Sequence, residues 1–203
     1  MVSVIDQERE LRAAWEGGRF DEATTLALEH YGSEILGLLV ARLRSDSDAA
    51  EAFSVFAVDL WRGLPGFAWR CSLRAWAHRV ARNAANRWAV AGARLVARNQ
   101  PVPGDVIDQV ANRIKTTTLI YLRSEVKSAI RRLRDELPPD DQLVLVLRVD
   151  KAMEWRDIAM ALADDDLDEP ALVRESARLR KRLQLATARL RELAAERGLL
   201  EPP

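Results

Sequence analysis

The chain has 203 residues with 31 Lys and Arg against 31 Asp and Glu, and its only cysteine is Cys71. Zero net charge excludes indiscriminate polyanion binding by the whole surface but leaves room for a charged patch, and one cysteine excludes an internal disulfide and a thiolate metal cage. No apolar run approaches the ~20 residues that span a bilayer, and the start MVSVIDQEREL is too acidic for a signal peptide, so a cytoplasmic protein of one large or two small domains is expected, without membrane insertion.

Residues 6 to 45 read as helical, with a break at Gly17 and Gly18 after which Asp21 suits an N-cap. Leu26, Leu28, Tyr31, Ile35, Leu36, Leu39, Val40 and Leu43 give the second of these helices a broad apolar face. The run Ser45 to Asp48 makes a turn and a new cap. A third helix from Ala49 to Trp61 follows, with Ala52, Phe53, Phe56 and Leu60 inward, until Gly63, Pro65 and Gly66 end it.

The next stretch, Trp69 to Trp88, is the most unusual part of the chain. Leu73, Trp76, Ala77, Val80, Ala81 and Ala84 recur at three- and four-residue steps, the mark of one buried helix face. No acid occurs in residues 60–104, whereas Arg62, Arg70, Arg74, Arg79, Arg82, Arg87, Arg94 and Arg98 all do. In a neutral chain this segregation of sign points to a cationic face that holds phosphates through Arg and stacks bases on aromatics. A solvated basic face on an ordinary core helix is the plainer alternative. Trp61, Trp76 and Trp155 lie on apolar stripes and read as core, while Trp69 and Trp88, at the edges of the basic helix, suit stacking.

Residues 91–118 lose the stripe, carry Gly92, Pro101, Pro103 and Gly104, and read as a linker, although Val106, Ile107 and Val110 suit a short helix. A second helical unit spans 119–200. Leu119, Leu122, Val126, Ile130, Leu133 and Leu137 run to Pro138 and Pro139, which stop the helix. Asp140 or Asp141 is the expected cap of a helix from Gln142 to Val149, and Trp155, Ile158, Ala159 and Leu162 place another at 154–163. After an acidic insert comes a final helix, Ala171 to Arg197, with the stripe Val173, Leu179, Leu183, Ala186, Leu190 and Leu193. The fold class is therefore all-α, in two small helical domains. A short helix, a turn and a longer basic helix are the parts of a helix-turn-helix, whose second helix enters the major groove.

These residues together resemble a known family, the sigma factors of bacterial RNA polymerase (sigma-70 family), in particular the small extracytoplasmic-function (ECF) group. SLRAWAHRVARN, Ser72 to Asn83, resembles its most recognisable signature. The segment Asp48 to Phe67 is similar to the acidic and aromatic part that binds the polymerase clamp. LPPDDQLVLVLRVDKAMEWRDIAMAL, Leu137 to Leu162, resembles the start of the second DNA-binding domain, and LRKRLQLATARLREL its recognition helix. The resemblance implies a first domain, 22–90, that binds core polymerase and the melted minus-ten element, and a second, 119–200, that reads the minus-thirty-five element, with residues 1–21 as an N-terminal extension. It places Asn83 at the family's base-reading asparagine and Arg70, Cys71, Ser72 and Leu73 at the loop that receives an extruded base. Trp69, Arg74, Arg79, Arg82, Asn86 and Arg87 complete the expected minus-ten set. Arg178, Arg180, Lys181, Arg182 and Gln184 form the expected minus-thirty-five set. Asp48, Glu51, Phe56, Asp59 and Trp61 are the expected polymerase contacts. Core polymerase, through its clamp and flap, promoter DNA and an anti-sigma factor are the implied partners.

Physical chemistry supports part of this independently. Unpaired bases need a pocket with matched donors and acceptors, Arg holds the backbone, and an Asn amide reads a base edge with both donor and acceptor. His30 and His78 lack ligand spacing, and no phosphate loop or nucleophile motif occurs, so neither enzyme activity nor a cofactor is expected. The departures from the family are a longer acidic turn, Asp164 to about Arg174, and a less acidic clamp segment. The alternative is a helix-turn-helix regulator or polymerase-associated protein that does not melt promoters; a purely structural helical protein ranks third.

Overall fold

The computed structural model describes residues 4–91, 105–124 and 133–199, and within them the protein is all-α, with no strand. The chain divides into two compact units, Met1–Ser124 and Glu125–Pro203.

In the first unit, α1 (Val4–Glu16), α2 (Phe20–Leu43), α3 (Asp46–Gly63), α4 (Leu73–Ala91) and α5 (Asp105–Ser124) follow in order, with a 3-10 turn at Leu64–Gly66. The chain reverses after α1 at Gly18, whose φ of 68° suits glycine. Helix α2 is central and packs against all four of the others. Its burial on several sides explains its broad apolar surface, from Ala23 and Ala27 through Tyr31 and Ile35 to Leu39. Gly32 is needed for this: a Cβ there would stand 2.8 Å from Ile114 Cδ1, so its absence lets α5 approach α2.

Three expectations change here. Asp21 lies in the first turn of α2, not at its cap, and its carboxylate accepts from Trp61 Nε1 at 2.8 Å. Residues 1–21 are more than an extension, because Leu11 and Ala14 of α1 are fully buried in the common core. The expected linker is helical from Asp105, with Ile107, Val110 and Ala111 buried in that core. Pro101, Pro103 and Gly104 just upstream, and polar residues between the apolar ones, hid the short stripe. The rest of the linker, 92–104, and the positions of Val126, Ile130 and the Leu122 side chain lie outside the described residues. Ser45 does cap α3, its Oγ accepting from Asp48 N at 3.2 Å.

The second unit contains α6 (Pro139–Leu145), a π turn at Val146–Asp150, α7 (Trp155–Leu162) and α8 (Glu169–Glu196). Pro139 fills the first position of α6, where a missing N–H costs nothing. Asp140 and Asp141 therefore stand in its first turn and do not cap it. Helix α8 starts earlier than its apolar pattern suggests because Asp168 caps it, Oδ1 accepting from Ala171 N at 2.8 Å, with Pro170 in the first turn. The acidic interruption is thus confined to residues 163–168. The buried stripe of α8 begins at Leu172, Ser176 and Leu179, and Val173, expected inside, is 61% exposed. Spacing back from Leu179 by three and four selects Ser176 and Leu172, with a serine in an apolar row; its Oγ donates to Trp155 O at 3.4 Å.

Candidate nucleic-acid interface

Helix α4 lies on the core through Leu73, Ala77, Ala81, Ala84, Ala85 and Trp88, a mostly small-residue face that allows close packing. Asn86 and Arg87 are exposed on its outer side, and Arg79, Arg82 and Asn83 are half-buried. Upstream, the loop from Phe67 to Ser72 exposes Arg70, while Phe67 is buried and Trp69 half-buried. Ser72 caps the helix, its Oγ accepting from Ala75 N at 3.1 Å.

Several expected contact residues have other duties. Arg74 gives both Nε and Nη2 to the Glu34 carboxylate at 2.8 Å, and His78 Nε2 donates to the same carboxylate at 2.9 Å. The three side chains are 13%, 12% and 2% exposed, so Arg74 braces α4 against α2 and is withdrawn from the DNA-facing set. Burial works to raise the Glu34 carboxyl, but the hydrogen bonds and charges of Arg74 and His78 prevail and bring it down to about 2. Trp88, at 8% exposure, is a core residue and not a stacking platform. Arg87 pairs with Asp59 across α3 and α4, and burial pushes the Asp59 carboxyl up against the opposing pull of Arg87. Asn86 Oδ1 accepts from Arg42 Nη2 at 2.7 Å.

On α3, Glu51 is exposed and Asp48 half-buried, so both can meet a partner. Phe56 cannot: it is 1% exposed and packed on Phe53 at 5.4 Å. Trp61 is half-buried and held by Asp21.

The basic residues of α8 also separate by position. Arg182 lies on a flank and is held by Asp141 and Asp140 of α6. Arg180 lies on the other flank, its guanidinium 5.6 Å from the Trp155 ring centre, with Arg148 5.3 Å from the same ring. At about 100° per residue, the face opposite the buried stripe carries Arg174, Ala177, Arg178, Lys181 and Leu185, all exposed. Gln184 is exposed beside this face. Arg178 forms two hydrogen bonds, 2.9 and 2.8 Å, to Glu175 on its own helix. Arg174 and Ala177 stand outside the expected minus-thirty-five set, although Arg174 lies on the expected final helix; the Asp168-Glu169-Pro170 start signal marks the boundary that puts both on a regular face. Glu8 and Glu34 were missed as well, and both act at long range in sequence. Among the described residues, no three of His, Cys, Asp and Glu are grouped to hold a metal ion, and no helix is long and apolar enough to cross a membrane.

Residues 27–94, from within α2 through α4, match the sigma-70 region 2 family. Over 169 residues the chain is 24% identical to the RNA polymerase sigma-H factor of Pseudomonas aeruginosa, covering 78% of this chain and 85% of that protein. No solved structure matches at a significant level.

Proposed function

We propose that this chain, a sigma factor of the sigma-70 family and not itself an enzyme, directs core RNA polymerase to promoters by capturing the melted minus-ten element with its first unit and reading the minus-thirty-five element as duplex with its second. The observation that carries this reading is α4: an acid-free helix, inside the family match, with half-buried Arg79, Arg82 and Asn83 beside exposed Asn86 and Arg87, next to a loop bearing Arg70 and Trp69. Arg70, Arg79 and Arg82 hold backbone phosphates while Asn83 reads an unpaired base. Arg87 joins them once released from Asp59. Glu51 and Asp48 meet the polymerase clamp, and the second unit sits at the flap.

On duplex, α8 turns its Arg174, Ala177, Arg178 and Lys181 face into the major groove. Arginine matches the paired acceptors of guanine, and Ala177 the methyl of thymine. Arg180, Arg182 and Gln184 flank that face as backbone or supporting groups. The extracytoplasmic-function subtype and an anti-sigma partner covering both units belong to the same reading, as does action in the cytoplasm, where the polymerase works.

Runoff transcription with purified core polymerase on a genomic promoter pool tests it. Defined start sites that require the wild-type chain and weaken with Asn83→Ala, and separately with Arg174→Ala/Lys181→Ala, support two reading heads. Polymerase binding without initiation favours the non-melting regulator, and no polymerase binding overturns the reading.

A further inference from the structure

Helix α1 touches the loop at residues 67–72 in its middle and the chain on either side of it. Trp15 Nε1 donates to Leu64 O at 2.8 Å on the incoming side. In the middle, the Trp15 ring meets Trp69 edge-on at 5.8 Å, and the Arg12 guanidinium lies 5.3 Å from the Trp69 ring centre. On the outgoing side the Glu8 carboxylate accepts from Leu73 N at 3.1 Å and Arg74 N at 3.0 Å, and Tyr31 OH donates to it at 3.0 Å. Buried Leu11 and Ala14 anchor α1 itself to the core.

These contacts answer a local deficit. The first N–H groups of a helix have no partner inside it and form the positive end of its dipole, yet α4 has no acidic residue in its first turn. Ser72 satisfies one of those groups, and Glu8, 65 positions from Leu73, supplies the charge and two acceptors. The loop also carries two penalties at one residue. Trp69 has a φ of 55°, a region bulky side chains rarely occupy, and its indole Nε1–H is buried with no acceptor among the described residues. Such a conformation persists only when its surroundings over-determine it. Trp15, Arg12 and Phe67, the last 5.0 Å from Trp69, are those surroundings, and Glu8 fixes the start of the helix four residues on.

We propose that α1 is a clip that sets the loop at residues 67–72 for base capture, with Glu8 as its positioning residue. This rests on the promoter-melting reading above. Glu8 touches no base; it acts through the start of α4, fixing where Arg70 and Ser72 stand and where the helix that carries Asn83 begins.

The test uses the full chain assembled with core polymerase on a promoter carrying 2-aminopurine in the minus-ten non-template strand, with core binding measured by anisotropy and amide exchange measured along the chain. Removing a charged cap is expected to lower open-complex formation about 10-fold in Glu8→Ala, with an intermediate loss in Glu8→Gln, which keeps a neutral acceptor. Core affinity stays within about twofold, and exchange quickens at Leu73 and Arg74 but not within α3. Open complexes at the wild-type level in Glu8→Ala overturn the proposal. So does a parallel fall of melting and core affinity with faster exchange throughout the first unit, because Glu8 is then only a stabiliser. A wild-type chain that binds core polymerase but opens no promoter removes the underlying reading, and that outcome is seen before any variant is compared.

Discussion

The buried trio Glu34, Arg74 and His78 converts a surface-type motif into a brace, and its protonation has a definite sign. The Glu34 carboxyl falls from an ordinary 4.5 to about 2 in the folded protein. The stability it contributes is therefore whole above pH 4.5 and is lost as the pH falls toward 2, because the unfolded chain takes up the proton first. Denaturant titrations from pH 6 to 2 should show an acid limb on the order of 3 kcal/mol that flattens in Glu34→Gln. At pH 7 the same variant leaves Arg74 buried without its carboxylate and should cost about 3 kcal/mol or more. Phe56 makes a second test at this scale. With its ring inside the core, Phe56→Ala should cost about 3–5 kcal/mol in a denaturant melt, and any loss of polymerase binding should follow that loss of fold, not a lost contact.

Helix α8 shows how much an element's start decides. Because Asp168 is its cap, Asp168→Ala should cost about 1 kcal/mol and fray the turn that carries Arg174, which circular dichroism melts and duplex binding would register together. With that start in place, Arg174→Ala and Lys181→Ala should each cost about 1–3 kcal/mol of minus-thirty-five duplex binding and relax the choice of base at one position. Arg182→Ala should leave the salt slope of that binding unchanged and lower the melting temperature of the second unit, since its partners are Asp140 and Asp141. Local rules made most of the helices legible: a cap within Ser45 to Asp48, the Gly17–Gly18 break, the alanine face of α4 and the break at Pro138 and Pro139. They were less able to set boundaries where a cap lay inside an acidic run, as at Asp168, or where an interior row contained a serine, as at Ser176. Site residues divided in the same way. Arg79, Arg82 and Asn83 are half-buried on α4, and Asn86 and Arg87 beside them are exposed. Arg74 and Arg182 are diverted by carboxylates 40 to 42 residues away, and Trp88 by burial in the core, none of which periodicity reveals.

At the scale of the molecule, the first unit depends on both of its outer helices. Leu11 and Ala14 from α1, and Ile107, Val110 and Ala111 from α5, share one core with α2, α3 and α4. A fragment of residues 22–90 should therefore melt without a cooperative transition, while 1–124 should unfold in a single step; calorimetry on the two distinguishes these outcomes. The long reach of Glu8 also sets an order of events during synthesis. At about 5–20 residues per second, the ribosome makes Leu73 on the order of 3–13 s after Glu8, so over that interval the carboxylate has Tyr31 OH of α2 as a partner but not yet the start of α4. Docking then proceeds in two stages: the apolar side of α1 settles early, and its polar grip on the start of α4 closes only after a further 65 residues have emerged.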